Sequence, residues 1–528
     1  MSDEFSVRRP YNAVTDFVDA NVARGLGDKV AFIDPDRSLT YGELQTRTYR
    51  FAAALRRLGL KPEDRLALLA HVTVDDPAAF WGAIRAGIVV VPLNTLLTVS
   101  QYAYILADSR ASTLVVAAPL ARTVWPILER TPHIRNVIVI GATAEDRAAF
   151  RDRGVQFFED ILCEAGEPCT AATLSDEIAF WLYTSGSTGD PKGVKHVHTS
   201  LMATAKLMGQ GVLGIRQDDV VFSAAKLFFA YGLGNAMTFP MSAGATAVLW
   251  PQRPTPPAVF DIMRAHDPTI FYGVPSLYLA LLAHEDMRRG AGSRRLRLCV
   301  SAGEALPRHI GERWHEAAGV DVLDGIGSTE MLQTFLSNRP GDIRYGSTGK
   351  PVPGYETKIV DEHGRELSDG EIGELVVRGP SAGEGYWNQR AKSRRTFAGE
   401  WTFTGDKYLR DGEGYYHYCG RTDDMFKVSG MWVSPFDVEA ALVSHEAVLE
   451  AAVSGKDDAD GLTKPKAFIV LKNGYVADES LLETLKVHVK ERAGPWKYPR
   501  WITVRQELPR TATGKIQRFK LRDEEAAV

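Results

Sequence analysis

Only four cysteines occur in 528 residues, at positions 163, 169, 299 and 419, with no C-x-x-C spacing and no matching histidine pair. That argues against a zinc site and for free thiols in a reducing compartment. Charge of one sign is scarce too: 62 Lys and Arg face 66 Asp and Glu, a net charge of −4. Without a basic excess there is no global footprint for nucleic acid or an anionic membrane, so an anionic ligand has to be met locally. Long apolar runs are missing, and no window approaches the roughly 18 residues of a membrane-crossing helix. The start, Met1-Ser2-Asp3-Glu4-Phe5, shows no basic stretch followed by an apolar one, and a cytoplasmic protein is expected. No repeat or low-complexity tract stands out, and the charges of Lys486 to Arg492 fit one solvated helix face.

What the chain has is bulk with an ordinary composition. At 528 residues it exceeds the size at which one core keeps growing, and 45% hydrophobic with 24% charged residues describes a globular protein of two or more domains. From Val30 to about Gly420 short apolar runs alternate with amphipathic stretches, as in Arg65 to Ala70, Ala78 to Ala86 and Ile88 to Leu93. This is the α/β pattern of helices packed on largely parallel sheets. Ser38 to Leu44 reads as a strand end and helix start with Glu43 placed for capping. Glu371 to Gly379 and Gly414 to Gly420 become strand-like with Gly turns, a β-rich subdomain. Past Arg421-Thr422-Asp423-Asp424 the remaining chain offers short strands and two helical stretches, so the expected domains are 1–422 and 423–528.

The chemistry begins at Thr184-Ser185-Gly186-Ser187-Thr188-Gly189-Asp190-Pro191-Lys192-Gly193. Glycines let backbone N–H groups approach an anion, the hydroxyls add donors, and Lys192 supplies the charge a polyphosphate needs. It is not a Walker A loop, because Pro191 precedes the lysine and Gly193 follows it. The apolar run Ile178 to Tyr183 predicts a buried strand feeding the loop, with a helix from about Leu201 onward. The element resembles the phosphate loop of the adenylate-forming superfamily, which contains acyl-CoA ligases, peptide-synthetase adenylation domains and firefly luciferase.

Further motifs stand in that superfamily's order. Ser301-Ala302-Gly303-Glu304-Ala305 follows the apolar run Leu298 to Val300, at a strand end where α/β sheets place ligands; its superfamily counterpart lines the adenine and acyl pockets. Asp324-Gly325-Ile326-Gly327-Ser328-Thr329-Glu330 resembles the Y-G-x-T-E element, which implies that Thr329 meets the α-phosphate and Glu330 holds Mg²⁺. It departs at Ile326, where most members carry a tyrosine stacked on adenine. Thr404-Gly405-Asp406 is similar to the element whose aspartate accepts both ribose hydroxyls. Arg421 and Asp423 match the hinge motif, the arginine near ribose and phosphate, the aspartate as pivot. Leu508 to Ile516 resembles the C-terminal lysine motif, making Lys515 the expected catalytic lysine of the first half-reaction. The resemblance covers nearly the whole chain. It implies a large N-terminal domain of two α/β sheet subdomains plus the β-rich one, and a small mobile α+β C-terminal domain.

Substrate choice is read from Lys226 to Asn235, which looks like the acyl-pocket wall. Ala230 occupies the place where amino-acid-activating relatives carry an aspartate for the α-ammonium, so an α-amino acid would lack its counter-ion. Phe228, Phe229, Tyr231 and Phe335 can flank a planar ring. This wording, with Gly327 to Leu332 and Val428 to Pro435, is similar to benzoate-CoA ligases. At Gln333-Thr334 the chain departs from them, and two hydrogen-bonding side chains there predict a ring bearing an amino or hydroxyl group, such as 2-aminobenzoate. The expected acyl pocket is Phe229, Ala230, Tyr231, Gly232, Ser301, Ala302, Gly327, Gln333 and Thr334. Expected substrates are the aryl acid, ATP with Mg²⁺, and CoA, whose pantetheine passes Gly430. A stand-alone enzyme loading a carrier protein is the alternative, and the oligomeric state stays open, a homodimer included.

Overall fold

A computed structural model describes residues 8–164, 168–186, 189–422, 424–428, 431–459, 462–510, 516–518 and 520–521. The chain forms two compact units, one of Met1–Thr357 with Val377–Thr402, the other of Lys358–Val376 with Phe403–Val528. The segments 358–376 and 403–422, rich in strand, thus group with the C-terminal residues rather than with the rest of 1–422.

The first unit holds two sheets. In one, seven strands run in the order Gln156–Phe157, Asn136–Ile140, Thr113–Ala117, Arg65–Leu69, Val89–Pro92, Ile178–Gly186 and Gly189–Val197. All neighbours are parallel except the last pair. The other has nine strands, whose central six are parallel: Val322–Gly327, Leu298–Ser301, Ile270–Gly273, Val220–Ser223, Thr246–Val248 and Val30–Ile33. Buried runs such as Leu66-Ala67-Leu68-Leu69 and Val89-Val90-Val91 explain the parallel pairing, since strands covered on both faces read as continuous apolar stretches. Helices then cover the sheets. The helix Tyr41–Arg57 starts with a reciprocal cap, Thr40 accepting from the Glu43 N–H while the Glu43 carboxylate accepts from the Thr40 N–H, as the sequence predicts.

The second unit is α+β. Val448–Asp457 pairs antiparallel with Thr463–Leu471, which pairs parallel with Trp501–Val504. The helices Pro435–Val443 and Glu479–Ala493 bury Val438, Leu442, Leu485 and Val489 against this sheet in one apolar cluster. Leu485 and Val489 sit four residues apart, so the Lys486 to Arg492 charges fall mostly on the outer side, as expected. Among the described residues no helix is long and apolar enough to cross a membrane, and no cluster of three His, Cys, Asp or Glu is placed to hold a metal.

Candidate active site

The phosphate loop sits at the tip of a hairpin. Ile178–Gly186 and Gly189–Val197 are antiparallel, with Tyr183 opposite Gly193, Thr184 opposite Lys192 and Gly186 opposite Gly189; Ser185 lies in the first strand. The expected strand before the loop and helix around Leu201 are present as Ile178–Gly186 and His198–Thr204, with an unexpected second strand, Gly189–Val197, between them. The residues after the loop pair back onto the first strand, and Val194 and His196 are fully buried there while Lys195 is half-exposed. Ser187 and Thr188 lie outside the described residues. Gly193 is required by close approach, since a Cβ there would lie 3.1 Å from the Tyr183 ring, which is fixed by a 2.6 Å bond to Asp108.

Parallel strands of the larger sheet deliver the next groups at their carboxyl ends. Ser301 closes Leu298–Ser301; it is fully buried and its Oγ makes no hydrogen bond among the described residues. Ala302 is buried behind it, and Gly303 turns the chain with φ 92° so that Glu304 and Ala305 stand half-buried before the helix Arg308–Ala318. On Val322–Gly327, Asp324 is buried, and its Oδ1 makes no hydrogen bond among the described residues. Burial pushes its carboxyl well above the usual range, against the pull of the Leu306 and Gly325 N–H groups. Gly325 leaves no room for a side chain, with Thr334 Cγ2 2.9 Å from a virtual Cβ. Ile326 pairs with Leu336 and Gly327 with Thr334.

The turn after Gly327 is pinned from several sides. Ser328 Oγ accepts from the Met331 N–H at 3.1 Å, and the Leu332 N–H donates to the Thr329 carbonyl at 3.1 Å. Leu332 takes φ 65°, a left-handed conformation that costs a β-carbon-bearing residue about 1 kcal/mol or more. His196 bonds the same Thr329 carbonyl at 2.8 Å. Because a carbonyl can only accept, Nε2 carries the proton, and Nδ1 is a buried bare acceptor. Burial holds this imidazole down to about 4, and its ring stacks on Phe180 at 5.2 Å. The Glu330 carbonyl accepts from the Gly383 N–H at 2.8 Å. Its carboxylate Oε1 accepts the Tyr386 hydroxyl at 2.6 Å, and Oε2 makes no bond among the described residues. The Lys192 ammonium lies 4.2 Å from the centre of that same Tyr386 ring. Sequence motifs named Lys192, Thr329 and Glu330; they missed Tyr386 and His196. No local pattern in the sequence marks His196, and Gly385-Tyr386-Trp387 carries no charged or phosphate-binding signature.

The acyl wall corrects one expectation. Phe229 precedes the short helix Ala230–Leu233 and meets Phe228 edge-on at 4.6 Å. The Tyr231 hydroxyl bonds the Gly273 and Val300 carbonyls at 3.2 Å each. Gly232 is forced, because a Cβ would fall 2.0 Å from the Lys226 carbonyl. Phe335 is fully buried in its strand. Gln333, expected to bond a ring substituent, spends every group it has: Nε2 donates to the Ala230 and Tyr231 carbonyls at 3.1 Å, and Oε1 accepts the Thr334 N–H and hydroxyl at 2.9 Å. Two facing carbonyls fix the amide orientation. Thr334, its proton committed, keeps only acceptor capacity.

In the second unit Asp406 is buried and faces Arg421 across an antiparallel pair, with Oδ1 3.0 Å from the Arg421 guanidinium. Gly405 adopts φ 71°, and its N–H bonds Glu374 at 3.1 Å, whose carboxyl burial pushes up. Asp423, Gly430 and Lys515 lie outside the described residues.

Comparison with known proteins agrees with this architecture. Residues 19–387 match the AMP-binding enzyme family and residues 437–515 its C-terminal domain. The chain is 54% identical over 97% of its length to a benzoate–CoA ligase of Thauera aromatica, 96% of which is covered. It is 52% identical over 98% of its length to a 4-hydroxybenzoate–CoA/benzoate–CoA ligase of Rhodopseudomonas palustris, 94% covered. The crystal structure of the anthranilate CoA ligase AuaEII in complex with anthranoyl-AMP superposes with a TM-score of 0.93 at 41% identity, over 100% of both chains. Phosphate hairpin, carboxylate turn and full-length similarity together place this chain in the AMP-binding, adenylate-forming enzyme superfamily.

Proposed function

We propose that the protein is an AMP-forming acid–thiol ligase of the benzoate type, joining a benzoate or ring-substituted benzoate to CoA through an acyl adenylate. The observation that carries this reading is identity above 50% along the whole chain to relatives named for benzoate–CoA ligation. An Ala230 without charge supports it by offering no partner to an α-ammonium group.

Thr184 to Lys192 hold the polyphosphate, and Thr329 meets the α-phosphate. Glu330 suits Mg²⁺: the ion is usually held by one or two carboxylates plus substrate phosphates, and Glu330 keeps one oxygen open in a region with no all-protein metal cage among the described residues. The metal would supply charge neutralisation on the phosphate oxygens. Gly303, Glu304, Ala305, Asp324, Gly325 and Ile326 form the adenine wall. Asp406 takes the ribose hydroxyls, and Arg421 holds Asp406 in place. Lys515 bridges the attacking carboxylate and the phosphate, offsetting a repulsion of roughly 4 kcal/mol per charge pair at ~4 Å and an effective dielectric of ~20. The oxygen of the acid attacks the α-phosphorus and pyrophosphate leaves.

In this reading the expected boundary at 422/423 is the pivot between the two half-reactions. Rotation at Asp423 withdraws Lys515 and brings Gly430 to the thiol channel, and the thiol attacks the acyl carbon with AMP leaving. Within the acyl pocket, the polar groups with spare capacity are Ser301 Oγ and the Thr334 oxygen, and these meet a ring substituent instead of Gln333. Pyrophosphate and AMP release measured with benzoate, 2-aminobenzoate, 4-hydroxybenzoate, octanoate and phenylalanine, each with and without CoA, tests the reading. CoA-dependent AMP release with a benzoate is expected. Adenylate that CoA leaves undischarged would reassign the acceptor to a carrier protein, and preference for octanoate or phenylalanine would overturn the aromatic pocket.

A further inference from the structure

Tyr386 belongs to none of the motifs that define the site, yet it touches two of them. Its hydroxyl donates to Glu330 Oε1 at 2.6 Å, and the face of its ring receives the Lys192 ammonium at 4.2 Å. The side chain is 5% exposed and meets Phe397 edge-on at 5.5 Å, so the ring is held by packing. Its backbone is fixed to the phosphate hairpin. Val194 pairs with Tyr386, the Lys195 N–H bonds the Gly385 carbonyl, the Glu384 N–H bonds the Lys195 carbonyl, and the Trp387 N–H bonds the Gly193 carbonyl, at 2.8 to 3.1 Å. Tyr386 thus links the phosphate hairpin to the Glu330 carboxylate itself, beside the His196 bond to the Thr329 carbonyl.

The chemistry of this placement is specific. Glu330 and Lys192 carry opposite charges at a site meant for a cation and a polyanion, and a direct pair between them would cancel both. A phenol gives each charge its own partner: a charge-assisted hydrogen bond for the carboxylate and a quadrupole for the ammonium. Engaging Oε1 also leaves Oε2 as the single free oxygen. A carboxylate restricted in this way ligates through one atom, which suits the octahedral, small Mg²⁺ and disfavours the two-oxygen grip common for Ca²⁺.

We propose that Tyr386 is a positioning residue that commits Glu330 to one-oxygen ligation of Mg²⁺ and holds Lys192 toward the phosphates. The inference rests on the reading of Glu330 as the metal ligand. Calorimetric titration of ATP into the full-length protein, in Mg²⁺, in Ca²⁺ and in EDTA, tests it without turnover. Wild type should bind ATP more tightly in Mg²⁺ than in either alternative. Tyr386→Phe keeps the ring and loses the hydroxyl, so the Mg²⁺ enhancement should fall about tenfold while affinity in EDTA stays within about twofold. The Mg²⁺ to Ca²⁺ ratio should move toward one. Tyr386→Leu removes the ring face as well, and should additionally weaken ATP in EDTA about threefold or more. An unchanged Mg²⁺ enhancement in Tyr386→Phe, or an equal loss in Mg²⁺ and EDTA, would overturn the proposal, the latter pointing to packing alone. Glu330→Gln separates the two layers. If it loses the enhancement and Tyr386→Phe does not, only the tyrosine inference fails; if Glu330→Gln keeps it, the assignment of Glu330 fails first.

Discussion

Replacing Gln333 by methionine keeps the volume of the side chain and deletes its four hydrogen bonds, so it separates a scaffold role from substrate contact. The Ala230 and Tyr231 carbonyls each retain the Gly234 N–H as donor, and their loss is small. The Thr334 N–H is different: Thr334 is 3% exposed, and removal of Oε1 leaves this donor buried without a partner, worth about 1–3 kcal/mol. With three further neutral bonds lost, the total is about 3 kcal/mol of local stability. Urea unfolding should register this loss. The decisive readout is the ratio of kcat/KM for 2-aminobenzoate to that for benzoate. Because Gln333 has no donor or acceptor left for a ring substituent, Gln333→Met should shift that ratio by less than about threefold even as stability drops. Thr334→Val, which removes the remaining acceptor, should lower it by up to about tenfold. A selective loss of 2-aminobenzoate beyond about tenfold in Gln333→Met, with benzoate untouched, would refute the argument.

Lys515→Ala should slow adenylation by at least ~10²-fold and spare thioester formation from supplied acyl adenylate, since one preorganised charge is lost from one half-reaction; equal loss in both halves, followed by rapid quench, contradicts the assignment. In the second unit Arg518 grips Glu439 with bonds of 3.0 and 2.7 Å, and Glu439 is 7% exposed. Arg518→Met leaves that carboxylate with the Val453 N–H at 2.7 Å but no cation and should cost about 3–5 kcal/mol, whereas Arg518→Met with Glu439→Leu removes the buried charge, takes the acceptor from Val453, and should recover part of it; stability measured by denaturant would show no recovery if the pair were not coupled. His196 is held at about 4 in the folded protein against 6.5 when free, so the unfolded chain binds more protons between those values. The stability advantage of wild type over His196→Gln is then complete above about pH 6.5. It should diminish by about 3 kcal/mol as the pH falls toward 4, and an advantage independent of pH would show that the imidazole is not neutral.

Which parts of this protein were legible in advance follows from the range of the interactions involved. The parallel sheets, the capped helix at Tyr41 and the α+β C-terminal region are written in local periodicity and capping, and both agree with the structure. The motif residues Lys192, Glu330 and Asp406 were named because their chemistry is carried by short contiguous patterns. The strand before the loop and the helix around Leu201 agree with the structure, whereas the second hairpin strand, Gly189–Val197, was not legible because its pairing with Ile178–Gly186 is a tertiary fact. Gln333 was assigned to the substrate because a glutamine in a pocket sequence signals a free amide; that its partners are carbonyls about a hundred residues earlier is a tertiary fact. Tyr386 is silent for the same reason, being 56 residues from Glu330 and 194 from Lys192 in sequence.

The strand Gly189–Val197 ends its sheet, and a bare terminal strand would present unpaired N–H and C=O groups as a template for another chain. Residues 384–387 cover that border with main-chain bonds to Gly193 and Lys195. Lesions in this short segment therefore expose an adhesive backbone rim beside the nucleotide loop, and variants there are expected to be lost to self-association before their kinetics can be read. Inactivity of such variants has to be separated from aggregation by recovering the monodisperse fraction, and conservative side-chain changes are the informative ones because they leave the covering backbone in place.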